Sequence, residues 1–124
     1  HQSGIFDPPN ESLRYQGDII NHPEAMYNKN VWQVLEQYVF DRPLHFAPGS
    51  RYSYSNTNYW LLGLVAEKLE QQSMQQILQR MIFDPLNMQH TYIEKRDDRN
   101  VVRGYANLYN DGHLIDVSLW DRAE

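Results

Sequence analysis

A chain of 124 residues can form one domain with a modest hydrophobic core, or part of a larger domain. Hydrophobic residues make up 41% and charged residues 22%, an ordinary globular composition, and no apolar run approaches the roughly 18 residues of a membrane span. The net charge is −5 and the cations are scattered, which argues against nucleic acid as a partner. There is no cysteine, so disulfides and thiolate metal sites are excluded.

In chain order, glycine and proline residues punctuate the first segment, and residues 1–18 are predicted to be loop and turn. Residues 30–39 repeat apolar side chains at helical spacing, which predicts a helix. We expect this helical segment to end at Pro43. Pro48 and Gly49 then predict a turn that leads into the next element.

The longest predicted helix covers residues 57–71. Its first half has almost no polar side chain, so we expect it to be buried nearly all round. Gly63 in its interior costs about 1 kcal/mol relative to alanine. The close approach of another backbone would explain that glycine. Ser55, just before the helix, is expected to cap it.

The second half of the chain predicts one more helix and a hairpin. Residues 73–76 match a capping box, which indicates a helix that continues to about residue 83. Residues 91–93 are β-prone but short. Residues 105–117 alternate in polarity around Asn-Asp-Gly at 110–112, which is typical of a β-hairpin. The predicted fold is mainly α with a short β-hairpin.

Residues 46–63 contain the candidate site, because they present Tyr54 and Asn56 on a turn at the start of a rigid helix. A phenol with a pKa of about 10 is a poor base at neutral pH. It becomes useful when nearby cations stabilise the phenolate, or when it relays a proton between partners. The carboxamide of Asn56 can offer both a donor and an acceptor to a substrate amide. Together these side chains can aim a proton carrier and an amide ligand into one cleft.

Other catalytic patterns are absent from the sequence. It contains no Ser-x-x-Lys, no Lys-Thr-Gly and no Gly-x-Ser-x-Gly. It also contains no His-Glu-x-x-His, no glycine-rich phosphate loop and no acidic pairing typical of glycosidases. We therefore expect no cofactor and no metal.

Residues 46–63 follow the pattern F-x-P-G-x-x-Y-x-Y-S-N-x-x-Y-x-L-L-G. This pattern resembles the central signature of the serine β-lactamase and penicillin-binding-protein superfamily, in the branch of class C β-lactamases, D-alanyl-D-alanine carboxypeptidases and related esterases. Three further stretches resemble the family in family order, namely H-x-S-G-(I/L) at 1–5, I-F-x-P-L-G-M-x-x-T at 82–91 and G-Y at 104–105. Two positions depart from it, because Asn87 and Gln71 stand where glycine is usual.

The resemblance implies that Tyr54 is a proton shuttle and Asn56 a substrate ligand in acyl transfer through an acyl-enzyme. It implies a Ser-x-x-Lys nucleophile box before His1 and a Lys-Thr-Gly-type box after Glu124. Residues 1–124 would then be a single partial domain, the helical part of an α/β catalytic domain truncated at both ends. The substrate would be a β-lactam, a D-alanyl peptide or an ester, and the compartment the cell envelope, the periplasm or the exterior.

Two other readings stay open on the sequence. The chain could be a non-catalytic helical module that binds a peptide or a partner domain, with the same turn as its docking site. It could also be a structural helical domain whose tyrosines all lie in the core. If it is part of a hydrolase, we expect the chain alone to be inactive. We also expect an apolar docking face to support a homodimer at high concentration.

Overall fold

The structure is a computed structural model that describes residues 1–93, 101–107 and 110–118. Helices account for most of the regular structure in these ranges, and two short antiparallel strands follow them. The helices are α1 (Pro8–Glu11), α2 (Leu13–Asn21), α3 (Pro23–Tyr27), α4 (Val31–Tyr38), α5 (Thr57–Glu70) and α6 (Met74–Leu78), followed by a π-helical segment, Gln79–Phe83. The strands are β1 (Tyr105–Ala106) and β2 (Ile115–Asp116). The prediction of a mainly helical chain with a short hairpin is confirmed.

The prediction of loop throughout residues 1–18 is wrong after residue 7, where α1 and α2 begin. Pro8 begins α1, and a proline is compatible with a first helical turn because its absent N–H would have no partner there. Ser12 then caps α2, since its hydroxyl accepts a hydrogen bond from the backbone N–H of Tyr15. Pro8, one of the residues that indicated loop, therefore starts a helix, and Gly17 lies inside α2.

The two other predicted helices before and after α5 are confirmed, and both begin at a capping box. In α4, Asn30 Oδ1 accepts from the N–H of Gln33, and Gln33 Oε1 accepts from the N–H of Asn30. Ser73 and Gln76 make the same reciprocal pair at the start of α6. The helical path then widens into the π-helical segment, which ends at Phe83 as the sequence predicts.

One hydrophobic cluster forms the core between α2 and α4. Its buried members are Tyr15, Ile19, Leu35, Tyr38 and Val39. The inner face of α5 packs against this cluster through partly buried side chains, namely Trp60, Leu61 and Leu64. The Tyr38 hydroxyl donates to Asp18 Oδ2 at 2.6 Å. Burial, followed by this bond and the Asp18 charge, raises the pKa of Tyr38 well above its ordinary value.

The expectation that α5 is buried nearly all round is wrong. Only Thr57 is fully buried in this helix, whereas its outer face exposes four large apolar side chains, Tyr59, Leu62, Val65 and Leu69. Within the described residues the core covers one side of α5 only. The explanation offered for Gly63 also changes. A Cβ at this position would lie 3.7 Å from the Met74 Cε atom, so Gly63 lies near a side chain rather than a backbone.

Two residues that replace a family glycine have left-handed backbone. Gln71 ends α5 with a φ of 52°, and Asn87 has a φ of 53°. Glycine adopts this region without a steric penalty, and asparagine tolerates it better than glutamine does. The predicted end of the helix near residue 71 is thus confirmed, and Gln71 holds a conformation that favours glycine.

The predicted hairpin is confirmed in the described residues around it. Tyr105 pairs with Asp116 and Ala106 pairs with Ile115. The Arg103 guanidinium donates to Asp116 Oδ2 at 2.7 Å. A hydrogen bond from Ser118 is the main cause that lowers the pKa of Asp116. Residues 91–93, expected to be β-prone, form no strand.

The longest helix of the described part, α5, has 14 residues. Neither it nor any other helix in the described ranges is long and apolar enough to cross a bilayer.

Candidate active site

The loop that carries Tyr54 and Asn56 lies along the first residues of the chain. Backbone N–H groups of this loop donate to carbonyls of the N-terminal segment at three points. His45 donates to Gly4 at 2.8 Å, Gly49 to Gln2 at 2.8 Å, and Ser53 to His1 at 3.0 Å. Two segments that are far apart in sequence are thereby held side by side, which fixes the path of the loop up to the start of α5.

A glycine permits this close approach, and a threonine hydrogen bond secures it. Gly4 has a φ of +76°, and a Cβ built on it would lie 2.5 Å from the carbonyl oxygen of Phe46, a distance that real Cβ atoms do not show. The positive φ and the lack of space for a Cβ therefore both require glycine at this position. At the other end of the contact, the buried hydroxyl of Thr57 donates to the Phe6 carbonyl at 2.8 Å. This bond ties the first residue of α5 to the N-terminal segment.

Tyr54 and Asn56 lie together at the start of α5. The Tyr54 hydroxyl donates to Asn56 Oδ1 at 3.1 Å. The Tyr54 side chain is 52% exposed, and Asn56 is half-buried. The two candidate side chains therefore point toward one another, and the phenol faces solvent. The reading in which every tyrosine lies in the core does not fit Tyr54.

A buried carboxylate that the sequence interpretation did not single out holds Asn56 from its other side. Asp7 is 0% exposed. Its Oδ1 accepts from the Asn56 backbone N–H at 3.1 Å, and the Asn56 Nδ2 lies 3.2 and 3.3 Å from its two oxygens. Asp7 follows closely on the His-x-Ser-Gly stretch, but the prolines after it indicated a turn, and no spacing in the sequence connects residue 7 with residue 56.

His1 packs against the ring of Tyr54. The two ring centroids are 4.3 Å apart with an interplanar angle of 31°. The same imidazole lies 5.4 Å from the Tyr59 ring and 5.8 Å from the Tyr52 ring. Its Nδ1 accepts a hydrogen bond from the Ser55 backbone N–H at 3.2 Å. The imidazole thus restricts the Tyr54 ring, while the Tyr54 hydroxyl is held by Asn56 on the exposed side.

Ser55 does not cap α5 as expected. Asn56 occupies the N-cap position of α5 and makes no side-chain cap. The Ser55 hydroxyl is buried, and among the described residues it has no hydrogen-bond partner. Its backbone contributes instead, because the Ser55 carbonyl accepts from the side-chain amide of Asn58 at 3.0 Å.

A separate groove of about 920 Å³ runs between α4, α5 and α6. Two tryptophans, Trp32 and Trp60, line it together with Met74 and the carboxylate-bearing Glu67. Tyr54 and Asn56 are not part of its lining. Within the described ranges, no group of three histidine, aspartate or glutamate side chains is arranged to hold a metal ion.

Comparison with known proteins gives a consistent result along the chain. A family model described as Beta-lactamase matches residues 1–122. A putative D-alanyl-D-alanine carboxypeptidase of Escherichia coli O157:H7 is 28% identical over 109 residues, covering 72% of this chain and 25% of that protein. A beta-lactamase of Yersinia enterocolitica is 32% identical over 91 residues, covering 73% of this chain and 22% of that protein.

Protein flp of Staphylococcus aureus strain MRSA252 is 28% identical over 83 residues, covering 67% of this chain and 17% of that protein. The chain thus spans a quarter or less of the length of these relatives. The family match extends over nearly the whole sequence and includes the loop with Tyr54 and Asn56 as well as the N-terminal segment that holds it. On this match, the chain belongs to the β-lactamase family.

Proposed function

We propose that Tyr54 and Asn56 form one part of the catalytic cleft of a serine hydrolase of the β-lactamase and DD-peptidase type. Such an enzyme cleaves an amide or ester bond through an acyl-enzyme. The observation that carries the proposal is the 3.1 Å hydrogen bond from the Tyr54 hydroxyl to Asn56 Oδ1 at an exposed helix start. Membership of the family supports the same chemistry.

The proposed roles follow from the hydrogen-bond donors and acceptors of the two side chains. The Tyr54 hydroxyl donates a hydrogen bond to Asn56 in the resting site. In the proposed relay its oxygen takes the proton of the attacking serine while its own hydroxyl proton passes to the leaving amine or alcohol, so Tyr54 stays neutral overall. The Asn56 Nδ2 directs one N–H toward Asp7, which leaves the second N–H for a substrate carbonyl. Tyr54 is therefore the proton shuttle and Asn56 the substrate ligand in this proposal.

The acyl transfer needs groups that these 124 residues do not contain. A serine oxygen attacks the substrate carbonyl, the amine or alcohol leaves with a proton, and water then releases the acyl group. Since no Ser-x-x-Lys occurs here, we propose that the nucleophile comes from sequence outside residues 1–124. The substrate is a β-lactam, a D-alanyl peptide or an ester, and the compartment is the cell envelope, the periplasm or the exterior.

The test uses the complete reading frame that contains residues 1–124, assayed with a chromogenic β-lactam, a D-alanyl-D-alanine peptide and a p-nitrophenyl ester. We expect turnover of at least one substrate, and a fall in kcat of about 10² to 10⁴ in Tyr54→Phe. Tyr52→Phe is the matched control, because Tyr52 is an exposed tyrosine that touches His1 but not Asn56. Equal activity of Tyr54→Phe and Tyr52→Phe contradicts the proposal.

The binding-module alternative has its own signature. A Ser-x-x-Lys encoded shortly before His1 supports the hydrolase, whereas its absence together with no turnover supports a docking module. The 124-residue chain alone serves as a further control. We expect it to hydrolyse none of the three substrates, and turnover that survives Tyr54→Phe in this chain counts against the assignment.

A further inference from the structure

The carboxylate of Asp7 is fully buried, and its hydrogen-bond partners in the described residues are amides. Oδ1 accepts from the backbone N–H of Asn56, and Nδ2 of Asn56 lies within 3.3 Å of both carboxylate oxygens. Oδ2 also accepts from the side-chain amide of Asn10. A buried charge is costly unless hydrogen bonds satisfy it, and here amide donors converge on it.

This arrangement decides which way the Asn56 carboxamide points. Rotation of a carboxamide by 180° exchanges its oxygen and its nitrogen with little change in shape. An ionised carboxylate only accepts hydrogen bonds. Asp7 therefore admits the nitrogen side of Asn56 and rejects the oxygen side, which turns Oδ1 toward the Tyr54 hydroxyl. In the flipped orientation the carboxamide oxygen would face the carboxylate.

Asp7 is itself held in place independently of Asn56. Its backbone N–H donates to Glu11 Oε2 at 3.0 Å, and the same oxygen lies 3.0 Å from His45 Nε2. The neighbouring Phe6 carbonyl accepts from Thr57. Hydrogen bonds thus fix the backbone on both sides of the Asp7 carboxylate. A side chain that orients another side chain must itself be held in place in this way.

We propose that Asp7 is a positioning residue for the candidate site, which selects one of the two orientations of the Asn56 carboxamide and so sets the hydrogen bond between Asn56 and Tyr54. As a statement about catalysis, this inference rests on the proposed function. As a statement about the orientation of Asn56, it stands without it. The two statements are tested by separate measurements.

The test variant is Asp7→Asn, which keeps the shape of the side chain but replaces one acceptor oxygen by a donor. The first measurement is nuclear magnetic resonance of the Asn56 side-chain NH₂ group. We expect its resonances to shift and its hydrogen-exchange protection to fall. The second is steady-state kinetics of the complete protein. We expect kcat/KM to fall by about 10- to 100-fold through kcat, by analogy with the loss of a hydrogen-bond partner that orients a metal ligand.

Asp18→Asn is the matched control for general destabilisation. Asp18 also accepts a hydrogen bond from a partly buried donor, but that donor is the Tyr38 hydroxyl in the core. We expect Asp18→Asn to lower the Tm while the Asn56 NH₂ resonances and kcat stay as in the wild type. If Asp7→Asn also lowers only the Tm, Asp7 is structural and the proposal is overturned.

A double exchange covers the case in which Asp7→Asn does not fold. In Asp7→Asn combined with Asn56→Asp, the amide lies on the first residue and the carboxylate on the second, and the carboxylate can still accept from Tyr54. Recovery of the folded spectrum and of the Tyr54 hydroxyl resonance supports the pairing, and no recovery overturns it. If the wild-type protein shows no turnover, the proposed function fails, while the Asn56 resonances still decide the role of Asp7.

Discussion

The two ends of α5 are built in opposite ways. At its beginning, polar groups are buried and paired, because Asp7 and Thr57 are both 0% exposed and both hydrogen-bond across to another segment. Toward its end, apolar groups are exposed, with Leu69 at 77%, and the helix stops at Gln71 in left-handed backbone. One helix therefore joins a tightly specified site to an uncovered apolar surface.

This contrast separates the positioning of Tyr54 and Asn56 from the burial of the apolar face of α5. The beginning of α5 finds partners in residues 1–7, since Asp7 accepts from Asn56 and the Phe6 carbonyl accepts from Thr57. On the outer face of α5, Tyr59 lies near His1, but Leu62, Val65 and Leu69 stay exposed in the described ranges. The geometry of Tyr54 and Asn56 hence depends on the N-terminal segment and not on whatever covers the outer face.

The largest expected effect comes from the contact that brings the two segments together. Gly4→Ala adds a Cβ that meets the Phe46 carbonyl at 2.5 Å and also forces alanine into positive φ. We expect a loss of about 3 kcal/mol in the free energy of unfolding, measured by urea denaturation. Gly49→Ala is the control, because Gly49 also has positive φ but nothing lies within 4 Å of its added Cβ. A Gly49→Ala loss as large as that of Gly4→Ala contradicts the role of the close approach.

A smaller effect distinguishes the two faces of α5. Leu64 packs against the core cluster, and we expect Leu64→Ala to cost about 1 to 2 kcal/mol of unfolding free energy through lost apolar burial. Leu62 lies two residues earlier and is 60% exposed. We expect Leu62→Ala to change stability by less than about 0.5 kcal/mol. Equal losses in the same urea titration indicate that the outer face is covered in solution.

The far end of α5 offers a stabilising change. Gln71→Gly relieves a left-handed conformation that costs a non-glycine residue roughly 1 kcal/mol. We expect a thermal unfolding midpoint a few degrees higher, since about 1 kcal/mol shifts the Tm of a domain of this size by that amount. Gln72, the next residue, is exposed and is not among the residues with positive φ. We expect Gln72→Gly to lower the unfolding midpoint or to leave it unchanged. A gain from both substitutions would point to a cause other than strain at Gln71.

The smallest effect on stability belongs to the outer face, where the expected change is in association. We propose that the exposed apolar strip of α5 supports a homodimer of the 124-residue chain at high concentration. Leu62→Lys should reduce the apparent mass in light scattering toward that of a monomer. Leu13→Lys is the matched control, since Leu13 is exposed on α2. A wild-type chain that stays monomeric at millimolar concentration removes this proposal.

Local patterns in the sequence determined three of the six α-helices in the described ranges, namely α4, α5 and α6, together with the hairpin. The capping box at Ser73, the apolar spacing of α4 and the Asn-Asp-Gly turn each act over a few residues, so each can be read directly from the sequence. The placement of Tyr54 and Asn56 together at a helix start was also local, because only Ser55 separates them in the sequence. Local reading failed at α1 and α2, where prolines and Ser12 begin helices rather than interrupt them.

Only the tertiary structure decided what surrounds that site. The contacts of Asp7 with Asn56 and of His1 with Tyr54 join positions about fifty residues apart, and hydrogen bonds and ring contacts between distant segments leave no periodic trace in a single sequence. The exposure of α5 was equally hidden, because a helix with an apolar first half is expected to be covered, but its own sequence does not show which segment covers it. The chemical groups of the site follow from the sequence, whereas long-range packing sets their orientation.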